Sequence, residues 1–321
     1  MSTNKQKISG SLLLLLTALI WGVAFVAQDE GVNFVGPYTF QAARTVLGAA
    51  ALLLLCAGRM LLQKKRGCYT PAPPAERKTL LIGGVACGLV LGLASMLQQL
   101  GIANNTSSPG KDAFITALYI VFVPLLGLFL GKRSQWHVYL CVGVALGGLW
   151  LLCMGGSTIS AGDIQLILCS LAFSVHILTV GYFSPRVDGL WLSAIQFSVS
   201  ALFCSVLMLI FEKPDFTALG AAWLPLLYAG LCSTAGGYTL QVLGMRHSPP
   251  TLASLVMSME SVFAVVASMI LLPGVPAPTA REWIGMAIIL LAIVAAQIPL
   301  PQKEKSFSNL KRKSLDKSPK E

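Results

Sequence analysis

The chain has 321 residues, 55% of them hydrophobic and only 11% charged. A soluble domain carries about a quarter charged residues, so this chain cannot clothe a water-facing surface and must be solvated by lipid. Its net charge of +10 collects in loops and at the C-terminus, with no basic stripe interleaved with aromatics, which leaves no footprint for nucleic acid.

About 20 apolar residues are needed to cross the hydrocarbon core of a bilayer. Ten runs of that order follow one another: Ile8–Ala27, Tyr38–Leu62, Thr79–Leu100, Ser108–Leu130, Trp136–Met154, Ile164–Phe183, Leu190–Phe211, Trp223–Gly244, Pro250–Leu272 and Trp283–Leu300. Backbone groups in lipid must bond within the segment, so runs of this length are helices rather than the shorter alternating strands of a barrel. Pro, Gly, Asp or Lys/Arg stand in the breaks, as helix ends require. Lys5 and Lys7 before Leu12–Leu16 resemble a signal peptide. The run continues through Trp21-Gly22-Val23-Ala24-Phe25 without a small-x-small cleavage site, and it reads as an uncleaved first helix.

With ten spans both termini share one side. That side receives 19 of the 23 Lys and Arg residues, and the other receives Lys111, Lys213 and Arg281; Arg44 lies within a span. Positive loops stay in the cytoplasm. The expected protein therefore sits in the cell (inner or plasma) membrane with both termini, the basic loop Arg59–Lys78 and the basic tail 301–321 inside.

The chain also repeats itself. Leu97-Gln98-Gln99-Leu100-Gly101 returns as Leu240-Gln241-Val242-Leu243-Gly244, and each copy is followed by a Ser-Pro break, Ser108-Pro109 and Ser248-Pro249. Adding 152 takes Trp21 to Phe173 and Arg44 to Gln196. Residues 8–154 and 164–300 thus form two five-helix units. Five is odd, so the second unit enters from the opposite side. The expected fold is an all-α integral membrane protein of ten helices in two inverted five-helix repeats, a common build of secondary transporters with the site near the midplane.

These residues resemble the drug/metabolite transporter superfamily, specifically its EamA-type ten-helix members. The matching marks are Ile20-Trp21-Gly22-Val23-Ala24-Phe25, Pro37 with Arg44, Ala117-Leu118-Tyr119 with Val123-Pro124, Leu130-Gly131, Gly162-Asp163 and Met259-Glu260-Ser261-Val262-Phe263. The likeness spans residues 8–300. The chain departs from the family at helix ends: Lys132 and Leu272-Pro273 stand where Leu-Gly-Glu is frequent, and Ser261 stands where Pro often follows the Glu. The resemblance implies transport, often efflux, of small metabolites.

A charge at the bilayer centre costs about 2.5–3.5 kcal/mol even on lenient insertion scales, so the few present are candidates for function. At 1.5 Å per residue Glu260 lies about 16 Å from the inner face and Arg44 about 10 Å from the outer face, nearly level with one another. Both are expected to line one cavity, where Arg44 holds an anionic group or Glu260, and Glu260 binds an ammonium or a proton. His176 reads either as a bonded core histidine or as a tuning group, since its counterpart under the repeat is Ala24. Trp21, Tyr119 and Gln196 fall at comparable depths and complete the candidate substrate-binding set. Gly84, Gly88 and Gly92, and Gly143 and Gly147, have the four-residue spacing that lets membrane helices approach closely. Gly236-Gly237 and Pro124 are candidate points of helix softening.

Enzyme chemistry finds no motif: no H-E-x-x-H, no G-x-S-x-G, no Walker loop. The three histidines are dispersed and the eight cysteines include no C-x-x-C pair, so no metal or other cofactor is expected. The expected function is a secondary transporter, exporting a small metabolite or amino acid by alternating access. Its partners are a small-molecule substrate and the lipid bilayer, with the proton a candidate coupling ion and a homodimer a candidate assembly. A non-transporting sensor or a polar-lipid flipper is the alternative. The orientation has a direct check: a cysteine placed at Thr70 should resist an impermeant thiol reagent in intact cells and react after permeabilisation. Ready labelling in intact cells would overturn the inverted-repeat reading.

Overall fold

In the computed structural model residues 4–105, 108–131, 134–153, 160–275 and 277–298 are described, and among them the chain is helical with no strand. The basic tail 301–321, Lys132 and Arg133 lie outside the described residues. The first units are α1 (Asn4–Val32), α2 (Pro37–Lys65), α3 (Pro74–Ala103), α4 (Pro109–Thr116), α5 (Tyr119–Phe129) and α6 (Trp136–Cys153). Then come α7 (Ala161–Phe183), α8 (Gly189–Phe211), α9 (Phe216–Ala221) and α10 (Trp223–Leu227), with a π-helical segment over Tyr228–Gly237. The last are α11 (Tyr238–Met245), α12 (Pro250–Met257), α13 (Met259–Leu271) and α14 (Ala280–Gln297).

Local chemistry sets these ends. Proline opens α2, α3, α4 and α12, where its missing N–H is no loss. Ser160 with Asp163, and Thr279 with Glu282, form capping boxes at α7 and α14, and Asp188 caps α8 through the amides of Leu190 and Trp191.

Seven spans are long and apolar enough to cross a membrane, counting α4–α5 and α12–α13 as one span each. This is fewer than the ten expected. Of the other three runs, α6 provides only a shorter apolar stretch, Trp136–Leu151. The run from Trp223 is divided by the π-helical segment, which ends on the Gly236-Gly237 pair. The α14 helix places Arg281 and Glu282 in its first turn.

The packing is crossed between the two halves of the chain. The α3 helix packs on α7 and α8, while α1 packs on α13, α12, α11 and the π-helical segment. Two further contacts join α2 to α8 and α6 to α14. The first of these pairs is antiparallel: Glu212, just past α8, bonds the start of α2 at Tyr38 and Thr39, whereas Arg59 near the end of α2 pairs with Asp188 before α8. The second pair meets closely where Gly148 of α6 lies against Gly285 and Ile288 of α14.

The two glycine series behave differently. Gly84, Gly88 and Gly92 do seat α3 on α8: a Cβ at Gly88 would stand 2.5 Å from the Gln196 carbonyl oxygen, and one at Gly92 2.8 Å from the Phe203 ring. Gly143 and Gly147 have nothing within 4 Å of such a Cβ. Their expected close approach is not made among the described residues; Gly148 makes it instead. Consequently Gly88→Ala should lower the melting temperature in detergent by several degrees, overpacking costing about 1–3 kcal/mol, while Gly147→Ala should leave it unchanged or raise it. Equal effects at the two positions would contradict this packing.

Candidate functional site

Two spans are broken at matching places. The α4–α5 span loses its regular ladder at Ala117-Leu118, and α12–α13 at Ser258; the Ile120 amide bonds back to Ala117 and the Ser261 amide to Ser258 in tight three-residue turns. Ala117 and Ser258 are 141 residues apart, and the same shift takes Tyr119 to Glu260. Each of these two residues thus stands in the first turn of a half-helix inside the bundle. They also meet: the Tyr119 hydroxyl donates to Glu260 Oε1 at 2.9 Å, in a contact buried from solvent. This bond joins the two halves of the chain.

Around it lies a closed cavity of about 20 Å³, room for about one water molecule. Trp21, Arg44, Tyr119 and Glu260 of the expected set line it. Its other walls come in pairs that the repeat relates. Trp21 faces in with Phe173, Phe25 with Ile177, and Gln98 with Gln241. The cavity therefore straddles the axis relating the two repeats. Tyr238 adds a wall that packs on Trp21 at a tilt, with ring centres 4.5 Å apart.

Arg44 is buried in this wall, 3% exposed, and its Nε has no hydrogen-bond partner. It forms no ion pair with Glu260; the ion pairs among the described residues are Arg59–Asp188 and Lys111–Asp163. Trp21 Nε1, Gln28 Oε1 and Gln241 Oε1 are likewise buried without a partner. Buried polar groups are nearly always bonded. A cluster of unbonded donors and acceptors around one cavity is what a polar ligand would satisfy: donors from Trp21 and Arg44, acceptors from the two amides and the carboxyl.

The structure does not bring His176 and Gln196 to the cavity. They pair with each other, His176 Nε2 to Gln196 Oε1 at 3.2 Å, behind Tyr238, whose ring centre is 6.1 Å from that of His176. The repeat alone would have placed His176 in the wall, since its counterpart Ala24 lines the cavity; on α7 the lining comes instead from Phe173 and the adjacent Ile177, and the His176 ring turns to Gln196. Missing from the expected set were Gln28, Gln98, Gln241, Phe25, Phe173 and Tyr238. The duplicated Leu-Gln-x-Leu-Gly motif held the signal for two of them, since Gln98 and Gln241 are its shared polar residue.

Over residues 8–154 and 160–296 the sequence matches the EamA-like transporter family. The chain belongs to that family. An uncharacterized transporter of Archaeoglobus fulgidus is 25% identical to this EamA-like transporter over 306 residues, 91% of this chain and 87% of that protein. The uncharacterized transporter YwfM of Bacillus subtilis is 23% identical, over 92% of this chain and 96% of that one. A crystal structure superposes with a TM-score of 0.67 at 18% identity, covering 90% of this chain and 96% of that chain, which is a likeness of fold. The protein is thus a multi-pass membrane transporter of the drug/metabolite superfamily, and its family points to transport rather than to catalysis.

The Tyr119–Glu260 bond can be tested by itself. Tyr119→Phe leaves a buried acceptor unbonded, which costs about 1–3 kcal/mol. Combining it with Glu260→Leu, which removes the acceptor, in a double-mutant cycle on thermal or denaturant stability should give a coupling of about 1 kcal/mol. Additive effects would show that the two side chains do not bond.

Proposed function

We propose that this EamA-like transporter is a secondary transporter that exports a small metabolite or amino acid by alternating access, built from two inverted five-helix repeats (residues 8–154 and 164–300) around the cavity at the Tyr119–Glu260 contact. The observation that carries the reading is that contact: two repeat-related residues, each at a helix break, bonded across a closed cavity lined by one cation and one carboxyl. The inversion is supported by α2 and α8, which are repeat equivalents and run antiparallel. Ten spans with both termini in the cytoplasm satisfy this symmetry and the placing of Lys and Arg.

In this reading Arg44 receives the anionic group of the substrate, aided by Trp21 Nε1, and Glu260 receives an ammonium or a proton. Apolar parts of the substrate lie among Phe25, Phe173, Trp21 and Tyr238. His176 and Gln196 act from behind Tyr238, tuning the wall. A proton at Glu260 is the coupling ion, and its transfer alternates with substrate binding as the cavity opens to each side.

The test begins with cells that overproduce the protein, whose medium should gain a small metabolite or amino acid. Glu260→Gln should fold and abolish that release under a proton gradient. Arg44→Ala should fold and weaken apparent affinity for the released compound by at least about tenfold, the scale of a charge-assisted hydrogen bond. Normal release by Glu260→Gln would remove Glu260 from the mechanism. Movement of labelled lipid without release of any metabolite would replace this reading with a polar-lipid flipper.

A further inference from the structure

Alternating access needs contacts that close the cavity at each end and can break one end at a time. The packing shows where those contacts must lie. One bundle gathers α1 and α2 with the π-helical segment, α11, α12 and α13; the other gathers α3, α4, α5, α7 and α8. Each bundle borrows helices from the opposite repeat. The main seams joining them are α4–α5 against α12–α13, which holds the Tyr119–Glu260 bond, and α2 against α8, beside which α2 also meets α3 through the Gln41–Ser95 hydrogen bond. Lys111–Asp163 and Asn104–Gln165 lie within one bundle and do not cross a seam.

The α2–α8 seam is clasped at both ends, by opposite means. At one end the N-cap of α2 is Gly36, which has no side chain to offer. Glu212 supplies the cap from the other bundle: its carboxylate accepts from the Tyr38 amide at 3.1 Å, the Thr39 amide at 2.8 Å and the Thr39 hydroxyl at 2.6 Å. A Cβ at position 36 would collide with that carboxylate. At the other end Arg59 reaches from α2 to Asp188, 2.5 Å away, which already caps α8. Burial pushes the Asp188 carboxyl up, but the Arg59 guanidinium and the capping amides outweigh it and hold it below the usual carboxylate range. Asp188 is therefore ionised at neutral pH. Arg44, in the cavity wall, sits on α2 between the two clasps.

We propose that the Glu212 clasp on the start of α2 and the Arg59–Asp188 pair at its end are the two gates of this transporter, and that the closed cavity is the state in which both are made. Splaying α2 from α8 at one end breaks one clasp and leaves the other as the pivot. Both clasps are polar and half-exposed, so water can replace each at small cost, whereas the dry Tyr119–Glu260 contact between them has no such substitute. The proposal rests on the alternating-access reading, but its test reads conformation without flux, so either can fail while the other stands.

The reporter is a cysteine at Thr116, in the cavity wall. The tryptic fragment Asp112–Lys132 that carries it contains no native cysteine. Labelling of that fragment by an impermeant maleimide would be followed in right-side-out and inside-out vesicles. Arg59→Gln should speed labelling from the Arg59 side alone, by about two- to fivefold, the weight of a half-exposed ion pair. Asp188→Asn keeps a good N-cap but loses the ion pair, and should reproduce that effect. Glu212→Ala should speed labelling from the opposite side alone, by about tenfold, with Glu212→Gln giving a smaller shift of the same sidedness. Rates unchanged in all four variants, or raised equally from both sides, would overturn the proposal. Melting temperatures near that of the parent would confirm that the variants compared are folded.

Discussion

A carboxyl group inside a bundle surrounded by hydrocarbon has no water to solvate it and must find a donor within the protein. Glu260 finds the Tyr119 hydroxyl. For that to happen both helices must break at the same depth, because an unbroken helix turns each side chain to a direction fixed by its neighbours. The breaks at Ala117-Leu118 and Ser258 free the first turns that follow, and those turns present the two side chains to each other. The cavity, its paired walls and the contact between bundles all follow from that meeting.

The symmetry is one of shape and not of charge. A ring at Trp21 corresponds to a ring at Phe173, and an amide at Gln98 to an amide at Gln241, so the cavity walls match across the axis. Arg44, however, has Gln196 as its counterpart, and Glu260 has Tyr119. The one cation and the one carboxyl of the cavity thus come from different repeats. A symmetric pair of arginines would repel across the axis, and a symmetric pair of glutamates would do the same. Divergence at two positions turns a neutral hole into a polar site while leaving the packing that both repeats share. The unbonded nitrogen of Arg44 and the unbonded amide oxygens of Gln28 and Gln241 are the structural sign of that change.

How much of this could be read in the sequence depended on the range of the physics involved. The spans followed from composition, because hydrocarbon thickness sets their length and polar breaks set their ends. Seven met those criteria in the fold; the run from Trp223 did not, since its π-helical turns arise from packing that no periodicity records. The depth of Arg44 and Glu260 came from counting residues, and both reached the cavity. Their direct pairing did not occur, since which neighbour a side chain meets depends on helix rotation and on the breaks. His176 and Gln196 were at the right depth but turned behind Tyr238, for the same reason. Gly143 and Gly147 matched the close-packing pattern of Gly84, Gly88 and Gly92 and yet face outward. A spacing says that a helix face is smooth; it does not say that another helix lies against it.

The crossed packing gives these facts a common consequence. Had each repeat packed only on itself, the halves would meet at one broad interface, and parting them at one end would expose most of it. Here α1 and α3 are each held by helices of the other repeat, so two bundles of mixed origin meet at α4–α5 with α12–α13 and along the length of α2 and α8. At each end of the α2–α8 pair a half-exposed carboxylate on helix amides or a single ion pair adds a polar contact that water can replace. Weak ends about a dry centre let a small substrate, whose binding can shift such a balance by only a few kcal/mol, decide which end is open. A cavity that admits only about one water in the closed state adds the complementary constraint: the substrate cannot bind without first drawing the seams apart, so occupancy and opening are coupled by volume as well as by charge.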